Sequence, residues 1–227
     1  MRQEEHVREL ESYFCLEDDM SSLEKYLHLG KRKDFKKGSQ ILPMGEAVQY
    51  LYYLKAGRAG RLSTAVNGTE KYVKVVCDKS ILGEVVFFKQ MANSGRFVAI
   101  EDCECYLFDE ETVYQILLKD EQVIRELIQW FCNRMKSLNA QVTESLVKDP
   151  HYRICKFLYG YAEKFGRLDE MGRYVYEGKL SHYDIAKFLG INRVSVTNVM
   201  KELQEAGIIQ KDRTKLVILN AAYMEQL

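Results

Sequence analysis

The spacing of hydrophobic and polar positions changes twice along this chain. Residues 2–29 carry apolar side chains at helical intervals, which predicts a helical opening. From residue 35 to about residue 115, short runs rich in Tyr, Val, Ile and Leu are separated by glycines, which predicts strands joined by turns. Asn67-Gly68 is a strong hairpin signal, because both residues tolerate positive φ. Many short strands with regular turns indicate a β-sandwich or a small barrel.

A second pattern covers residues 120–148, where apolar side chains recur at alternating spacings of four and three. This heptad repeat predicts a long helix with a narrow apolar seam, which favours self-association. A helix packed onto its own domain is the alternative, since Leu127 and Trp130 widen the apolar face. The predicted dimer interface consists of the seam residues Ile124, Ile128, Phe131, Met135, Leu138 and Val142.

Asp149-Pro150 ends the long helix, because proline disfavours the helical conformation in the residue before it. We therefore expect a β-rich domain at residues 1–117, a long helix at 118–148 and a C-terminal domain at 149–227. The C-terminal domain is predicted to contain a first helix from residue 151, a short strand pair at 173–180 and a hairpin around 211–214.

Between those elements, residues 181–209 have the pattern of a helix-turn-helix. Ser181 suits the N-cap of the first helix, Ala186 is the small residue where the second helix crosses, and Gly190 lies in the turn. Every expected inward position is apolar: Ile185, Leu189, Ile191, Val196 and Val199. An ordinary pair of packed helices is the alternative interpretation.

The outward positions of the second helix carry side chains suited to the major groove of DNA. Arginine binds guanine, asparagine binds adenine, and valine contacts the thymine methyl group. Asn192 shares this face, and Ser195 and Thr197 suit phosphate as well as base edges. The terminal hairpin is expected to be a wing whose basic residues, including Lys211, contact backbone phosphate. The predicted DNA-binding residues are Arg193, Val194, Ser195, Thr197, Asn198, Lys201, Arg213 and Lys215.

Composition adds little to this picture. Lys and Arg total 33, as do Asp and Glu, so the net charge is zero. From residue 148 onward there are 13 basic and 10 acidic residues, a small basic surplus. No apolar run approaches the roughly 18–20 residues of a membrane span, and the first residues lack a signal-peptide apolar region, so we expect a cytoplasmic protein with no membrane partner. The chain has six cysteines and no CxxC pair, so we expect most of them to be buried thiols, with Cys103 and Cys105 on one face of a strand.

Four stretches, taken in order, resemble the family of the catabolite activator protein and the fumarate-nitrate reduction regulator (Crp/Fnr). They are "FKKGSQILPMGEAVQYLYYLKAGRAGRLS", "ILGEVVFF", "CECYLFDEETVYQIL" and "LSHYDIAKFLGINRVSVTNVMKELQEAGII". The resemblance covers nearly the whole chain. It implies an α+β fold with an N-terminal cyclic-nucleotide-binding-like β-roll (a double-stranded jelly roll), a long dimerisation helix and a C-terminal winged helix-turn-helix.

The resemblance also implies a function. A homodimer senses a small-molecule effector in the β-roll domain, reorients its winged-helix domains and binds a near-palindromic promoter site. The implied partners are double-stranded DNA, a second copy of the chain, RNA polymerase and an effector. Such a protein is a transcription regulator and not an enzyme. The effector site implied by the resemblance consists of Gly83, Glu84, Val85, Asn93, Ser94 and Trp130.

This sequence departs from the family at the effector site. Cyclic-nucleotide-binding members have an arginine at the position of Asn93, and Arg96 would need a register shift to replace it. Cyclic AMP is therefore not the expected effector, and a neutral or differently shaped molecule is the alternative. Trp130, Tyr72 and Tyr106 suit an aromatic effector, or else belong to the core. Neither an N-terminal cysteine cluster nor a histidine in the central β-roll is present, so we expect no metal and no cofactor.

The recognition helix departs as well. Val194 stands where many members have glutamate, and Asn198 stands where they have a second arginine. Because valine favours thymine and asparagine favours adenine, we expect a more A·T-rich half-site than that of the catabolite activator. Two other functions stay open at this point. One is a non-transcriptional sensor or interaction module with a vestigial DNA-binding domain, and the other is a cupin-type enzyme, against which the lack of a metal-ligand set counts.

Overall fold

The computed structural model describes residues 14–15, 19–42, 44–45, 47–66, 68–146 and 149–226. The described residues form two compact units. One unit consists of residues 14–63 and 72–138, and the other contains residues 64–71 together with residues from 139 onward. The predicted α+β class is confirmed, while the domain boundaries at residues 117 and 148 stay predictions.

The N-terminal unit is built from two facing sheets. Its described strands are β1 (Phe14–Cys15), β2 (Lys31–Phe35), β3 (Gln40–Leu42), β4 (Tyr50–Ala56), β5 (Ala59–Thr64), β6 (Glu70–Val76), β7 (Ser80–Leu82), β8 (Arg96–Ala99) and β9 (Cys103–Asp109). One sheet has the order β1-β6-β5-β8-β3 and the other has the order β2-β9-β4-β7. A buried core joins them, and it includes Phe35, Leu42, Leu54, Phe97 and Cys105.

The turn between β4 and β5 requires a glycine. Gly57 has a φ of +101°, and a Cβ at this position would lie 2.3 Å from the carbonyl oxygen of Asp102. The hairpin predicted at residues 67–68 joins β5 to β6, which are neighbours in one sheet. Gly68 has a φ of +80°, as that prediction requires, while Asn67 lies outside the described residues.

The predicted helix over residues 2–29 is wrong at Phe14–Cys15, which forms a strand, whereas Ser21–Leu29 is helical but 3₁₀ in type. Residues 1–13 and 16–18 lie outside the described residues. Phe14–Cys15 forms a strand because it pairs in parallel with Val75–Val76 of β6. Ser21–Leu29 forms a 3₁₀ helix and buries Leu23 in the core. Pairing with a distant strand has therefore overridden the local helical spacing.

Three α-helices follow from β7 onward: α1 (Glu84–Lys89), α2 (Glu110–Gln115) and the long helix α3 (Glu121–Ser145), with a 3₁₀ turn at Leu117–Lys119. The long helix is shorter at both ends than the predicted span of 120–148. Its start is fixed by Asp120, whose carboxylate accepts a hydrogen bond from the backbone N–H of Gln122 at 2.9 Å. Val123 and Trp130 of α3 pack into a second core cluster with Met20, Leu23 and Phe108.

The C-terminal unit contains α4 (Pro150–Phe165), β10 (Arg167–Leu168), β11 (Tyr174–Glu177), α5 (His182–Leu189), α6 (Arg193–Glu205), β12 (Ile209–Lys211), β13 (Lys215–Ile218) and α7 (Ala221–Gln226). Its antiparallel sheet has the order β10-β11-β13-β12. The strand pair predicted at 173–180 is wrong, because this stretch forms the single strand β11, which pairs with β13 through Val175 and Val217. The predicted terminal hairpin is confirmed as β12 and β13.

Candidate nucleic-acid interface and sensor site

The two helices at residues 182–205 have well-defined ends. The hydroxyl of Ser181 accepts a hydrogen bond from the backbone N–H of Asp184, and the carboxylate of Asp184 accepts one from the N–H of Ser181. Gly190 ends α5 in the left-handed conformation, with a φ of +63°. Asn192 caps α6, since its side-chain oxygen accepts the N–H of Val194 at 2.7 Å. The predicted N-cap at Ser181 and turn at Gly190 are therefore both present, and Asn192 has a capping role.

The inward positions pack as predicted. Ile185, Ala186, Leu189, Val196 and Val199 are all buried, and the ring of Phe188 packs against that of Phe157 of α4, with 5.2 Å between the ring centres. Ile191 is half-buried. Burial of this apolar face fixes how α6 crosses α5, and it leaves the other face of α6 at the surface.

The outward face of α6 presents four of the predicted DNA-binding side chains to solvent. Arg193, Val194, Asn198 and Lys201 are exposed, and Val194 keeps 63% of its surface accessible. The ammonium of Lys201 lies 3.6 Å from Oε1 of Glu205, and the two form an exposed ion pair.

Thr197, another predicted contact residue, is exposed, but its hydroxyl is engaged within the domain. The Thr197 hydroxyl donates to the carbonyl of Arg193 at 3.0 Å and lies 3.1 Å from Nδ1 of His182 on α5. Ser195 is half-buried. Burial lowers the pKa of His182, and the positive charges of Lys211 and Arg193 lower it further. A neutral His182 therefore bridges the two helices.

The wing is the turn between β12 and β13. The carboxylate of Asp212 accepts the backbone N–H groups of Thr214 at 2.7 Å and Lys215 at 2.8 Å, and these hydrogen bonds lower its pKa. Arg213 and Lys215 are exposed, while Lys211 is half-buried with its ammonium on the carbonyl of Asp212. A turn held by Asp212 thus presents two cations at the surface, as the prediction requires.

The predicted effector residues lie in the N-terminal unit. Gly83 has a φ of +75° and precedes α1, whose first residue, Glu84, is buried. The side chain of Val85 is 54% exposed, so it lies on the outer side of α1. Trp130 of α3 is 1% exposed and belongs to the core. The structure therefore brings Glu84 and Trp130 inward and turns Val85 outward.

Lys74 connects Glu84 and Trp130. Its ammonium lies 3.1 Å from Oε1 of Glu84 and 3.9 Å from the ring centre of Trp130, and its side chain is 2% exposed. Lys74 was not predicted as a site residue. Its burial could have been predicted, because Lys74 lies on the same face of β6 as the buried residues Tyr72 and Val76.

Arg61 brings a positive charge to the end of the predicted effector segment. Its guanidinium donates to the hydroxyl of Ser94 at 2.9 Å, and a Cβ at Gly95 would lie 3.1 Å from the same guanidinium. Asn93 is buried and its side-chain oxygen accepts the N–H of Gly95 at 3.3 Å. Arg96 is exposed. Thus Asn93 shapes the turn, and the cation beside it comes from β5, which the sequence did not predict.

The long helix has two apolar faces. Val123 and Trp130 face the core of the N-terminal unit. The predicted seam lies on another side and stays exposed in the single chain, from 37% for Ile124 to 66% for Val142. The seam comprises Ile124, Ile128, Phe131, Met135, Leu138 and Val142.

Of the cysteines whose side chains the structure describes, Cys103, Cys105 and Cys155 are buried, Cys77 is half-buried and Cys132 is exposed. Cys103 and Cys105 lie two residues apart on β9, and both are buried. Burial raises the pKa of Cys103 to about 11 and that of Cys105 to about 12, so both stay protonated thiols at neutral pH. Within the described part of the chain, no group of three or more potential metal ligands comes together. None of the described helices combines the length and apolar character needed to cross a membrane.

Comparison with known proteins gives matches to two family models. Residues 32–120 match a cyclic nucleotide-binding domain, and residues 152–227 match a Crp-like helix-turn-helix domain. Together these matches cover most of the chain. They confirm the predicted order of a cyclic-nucleotide-binding-like β domain followed by a helix-turn-helix domain.

Relatives and solved structures with this domain order align with most of the chain. The chain is 23% identical over 220 residues to a global nitrogen regulator of Synechococcus elongatus, covering 93% of this chain and 98% of the relative. It is 20% identical over 185 residues to a CRP-like cAMP-activated global transcriptional regulator of Mycobacterium tuberculosis, covering 82% of each. The solved structure of OCPA complexed CprK shares the fold, with a TM-score of 0.72 and 23% identity over 91% of this chain and 94% of that one.

Proposed function

Because the chain belongs to the Crp/Fnr family of transcription regulators, we propose that it acts as an effector-responsive homodimer on a near-palindromic promoter site. An effector bound in the β-roll domain changes the orientation of the helix-turn-helix domains, and the dimer then binds DNA. Its proposed partners are promoter DNA and RNA polymerase, and we propose a cytoplasmic location because both are found there.

The observation that carries this proposal is the outward face of α6. Arg193, Val194 and Asn198 are exposed near the start of a helix whose opposite face is fully packed. In a helix-turn-helix, the first residues of the second helix are the ones that enter the major groove. Arg213 and Lys215 on the wing add two exposed cations suited to backbone phosphate. These side chains match a half-site with one guanine and neighbouring A·T pairs.

Self-association is supported by the exposed apolar seam of α3. The seam residues follow a heptad spacing, and the core-facing residues of the same helix lie on a different side. A second copy of α3 would cover this seam by packing seam against seam. Two recognition helices carried by such a dimer can read half-sites one helical turn, about 34 Å, apart.

The effector is proposed to bind beside α1 and α3, where Glu84 and Trp130 are buried around Lys74. One relative is named a cAMP-activated regulator. We propose a different effector for this chain, because Asn93 carries no charge and its side-chain oxygen holds the turn at Gly95.

A gel-shift experiment tests the DNA-binding part of the proposal. The full chain is titrated into a pool of random duplexes in the presence of excess non-specific competitor DNA. A complex that resists the competitor, and that Arg193→Ala weakens, supports sequence-specific binding. Loss of every complex at competitor levels that remove non-specific binding would favour a sensor with a vestigial DNA-binding domain.

A further inference from the structure

His182 lies where three elements of the C-terminal unit meet. It is the first residue of α5, and Nδ1 of its ring lies 3.1 Å from the hydroxyl of Thr197 on α6. The ring is half-buried. Two charges act on it, that of Lys211 at the end of β12 and that of Arg193 at the start of α6. Among the described residues, the charges that act on His182 are therefore all positive.

The hydrogen bonds of Thr197 determine which ring nitrogen of His182 carries the hydrogen. The Thr197 hydroxyl uses its own hydrogen on the carbonyl of Arg193, at 3.0 Å. Its oxygen is therefore the acceptor in the contact with Nδ1, and Nδ1 is the nitrogen that carries the hydrogen. In a neutral imidazole the other nitrogen, Nε2, then has a lone pair and acts as an acceptor. The described part of the chain provides no hydrogen-bond partner for Nε2.

Protonation of His182 would change Nε2 and leave the contact with Thr197 in place. Both nitrogens of an imidazolium are donors, so Nδ1 keeps its acceptor while Nε2 becomes a charged donor. In the free chain the surroundings oppose this change, because burial first, and then the charges of Lys211 and Arg193, lower the pKa of His182. An anion next to Nε2 would favour the protonated ring, since it offsets the repulsion between the cations and accepts the new hydrogen bond.

A phosphate of the DNA backbone is the anion that suits this position. In a helix-turn-helix, the first helix crosses the backbone while the second enters the major groove. His182 begins the first helix and is joined to the second through Thr197. Lys211 lies on the strand that leads into the wing, with its ammonium on the carbonyl of Asp212 at 2.9 Å. A DNA strand that contacts both the wing and the start of α6 is therefore expected to pass this ring.

We propose that DNA binding by this chain takes up a proton, with His182 protonated in the complex and its Nε2 donating a hydrogen bond to a backbone phosphate. The inference rests on the proposed function, since it adds a proton to the DNA-binding step of the same domain. Because the complex then holds more protons than the free chain, binding tightens as the pH falls. The effect is the same for all base sequences, since a phosphate contact carries no sequence information.

Calorimetric titration of the full chain with random duplex DNA at low salt tests this proposal. Titrations at about pH 6.5 in PIPES and in Bis-Tris, two buffers with different ionisation enthalpies, give the number of protons taken up on binding. We expect uptake approaching one proton per subunit. Affinity should rise about tenfold per subunit between about pH 8 and about pH 6, the size expected of one charge-assisted hydrogen bond. Net proton release, or equal affinity at the two pH values, would overturn the proposal.

His182→Asn connects the proton uptake to this ring, because an asparagine amide also donates to Thr197 but does not titrate. The variant should take up fewer protons than the natural chain and lose most of the pH dependence of DNA binding. His28→Asn is the matched control, since His28 is exposed on the 3₁₀ helix of the N-terminal unit, and its proton uptake should equal that of the natural chain. Equal uptake in His182→Asn and the natural chain would contradict the proposal.

Nitrogen-15 NMR of the histidine-labelled natural chain decides the question if His182→Asn fails to fold. The chain has four histidines, so substitution of the other three identifies the signal of His182. At about pH 7 its ring should be neutral in the free chain, with the hydrogen on Nδ1, and protonated on both nitrogens in the DNA complex. A chain that binds DNA with a neutral His182 refutes this inference alone, whereas a chain that binds no DNA at any pH refutes the proposed function as well.

Discussion

Nδ1 of His182 on α5 lies 3.1 Å from the hydroxyl of Thr197 on α6, so a hydrogen bond joins the two helices of the helix-turn-helix. The same hydroxyl donates to the carbonyl of Arg193, one helical turn earlier. Thr197 thus holds the recognition helix in place, and its hydroxyl is occupied before any DNA arrives. This relationship separates residues that position the helix from residues that read a base.

Replacing Thr197 by valine keeps the side-chain shape and removes the hydroxyl. We expect Thr197→Val to lower the free energy of unfolding by about 0.5–1.5 kcal/mol, the net value of a typical hydrogen bond. The base preference of the protein should not change. Chemical denaturation and site selection measure the two effects, with Thr197→Ser as the control that keeps the hydroxyl. A changed base preference with unchanged stability would show that Thr197 reads DNA directly.

His182 makes stability depend on pH. Burial first, and then the charges of Lys211 and Arg193, lower the pKa of His182 below its usual value of 6.5. The unfolded chain therefore takes up this proton at a higher pH than the folded domain does. The contribution of His182 to the free energy of unfolding is fully present above pH 6.5 and is lost as the pH falls below that value.

His182→Asn tests this pH dependence, since an asparagine amide also donates to Thr197 but does not titrate. Between about pH 7.5 and about pH 5.5, the unfolding free energy of the natural protein should fall by more than that of the variant. Identical pH profiles for the two proteins would contradict the assignment.

Arg193 and Arg213 are expected to contribute differently to DNA binding. Arg193→Ala should cost about 1–3 kcal/mol and relax specificity at one base pair per half-site. Arg213→Ala should weaken binding to all sequences similarly and reduce the salt dependence by about one counterion per wing. Binding isotherms on matched and mismatched duplexes at several salt concentrations distinguish the two. A uniform loss for Arg193→Ala would make Arg193 a phosphate contact.

The exposed seam of α3 predicts a dimer interface, and a single charged side chain introduced into the seam should disrupt the dimer. Ile128 is 58% exposed in the single chain, and Ile128→Glu would bury an unpaired carboxylate in the interface. We expect a loss of about 3–5 kcal/mol of dimer stability and a shift to monomer in sedimentation analysis. Gln129→Glu is the matched control, because residue 129 lies about 140° around the helix from Ile124. An unchanged dimer in Ile128→Glu would exclude the seam as the interface.

Local spacing was sufficient to predict much of this molecule. The heptad repeat from Ile124 onward predicted α3, and Ser181 and Gly190 predicted both ends of α5, since capping and periodicity depend on residues close in sequence. The terminal hairpin followed from the polar turn at residues 211–214 for the same reason. The order of the two domains could be predicted because each has its own local signature.

Features that depend on distant partners could not be predicted in this way. Phe14–Cys15 forms a strand through pairing with β6, and β11 lies between β10 and the distant strand β13 of the wing. Arg61 and Lys74 reach the candidate effector site from strands that precede it in sequence, so a motif search at residues 83–94 does not find them. The roles of Thr197 and Asn192 became clear only once their hydrogen-bond partners were known.

The central claim, that α6 reads DNA in the context of a dimer, is tested most directly by selecting binding sites from random duplex DNA with the full chain. The predicted result is an inverted repeat whose half-sites lie about one helical turn apart and carry a guanine beside A·T pairs. Repeating the selection with Arg193→Ala should remove the preference for that guanine alone. Failure to enrich any sequence, or enrichment of a G·C-rich core at the positions facing Val194 and Asn198, would contradict this account.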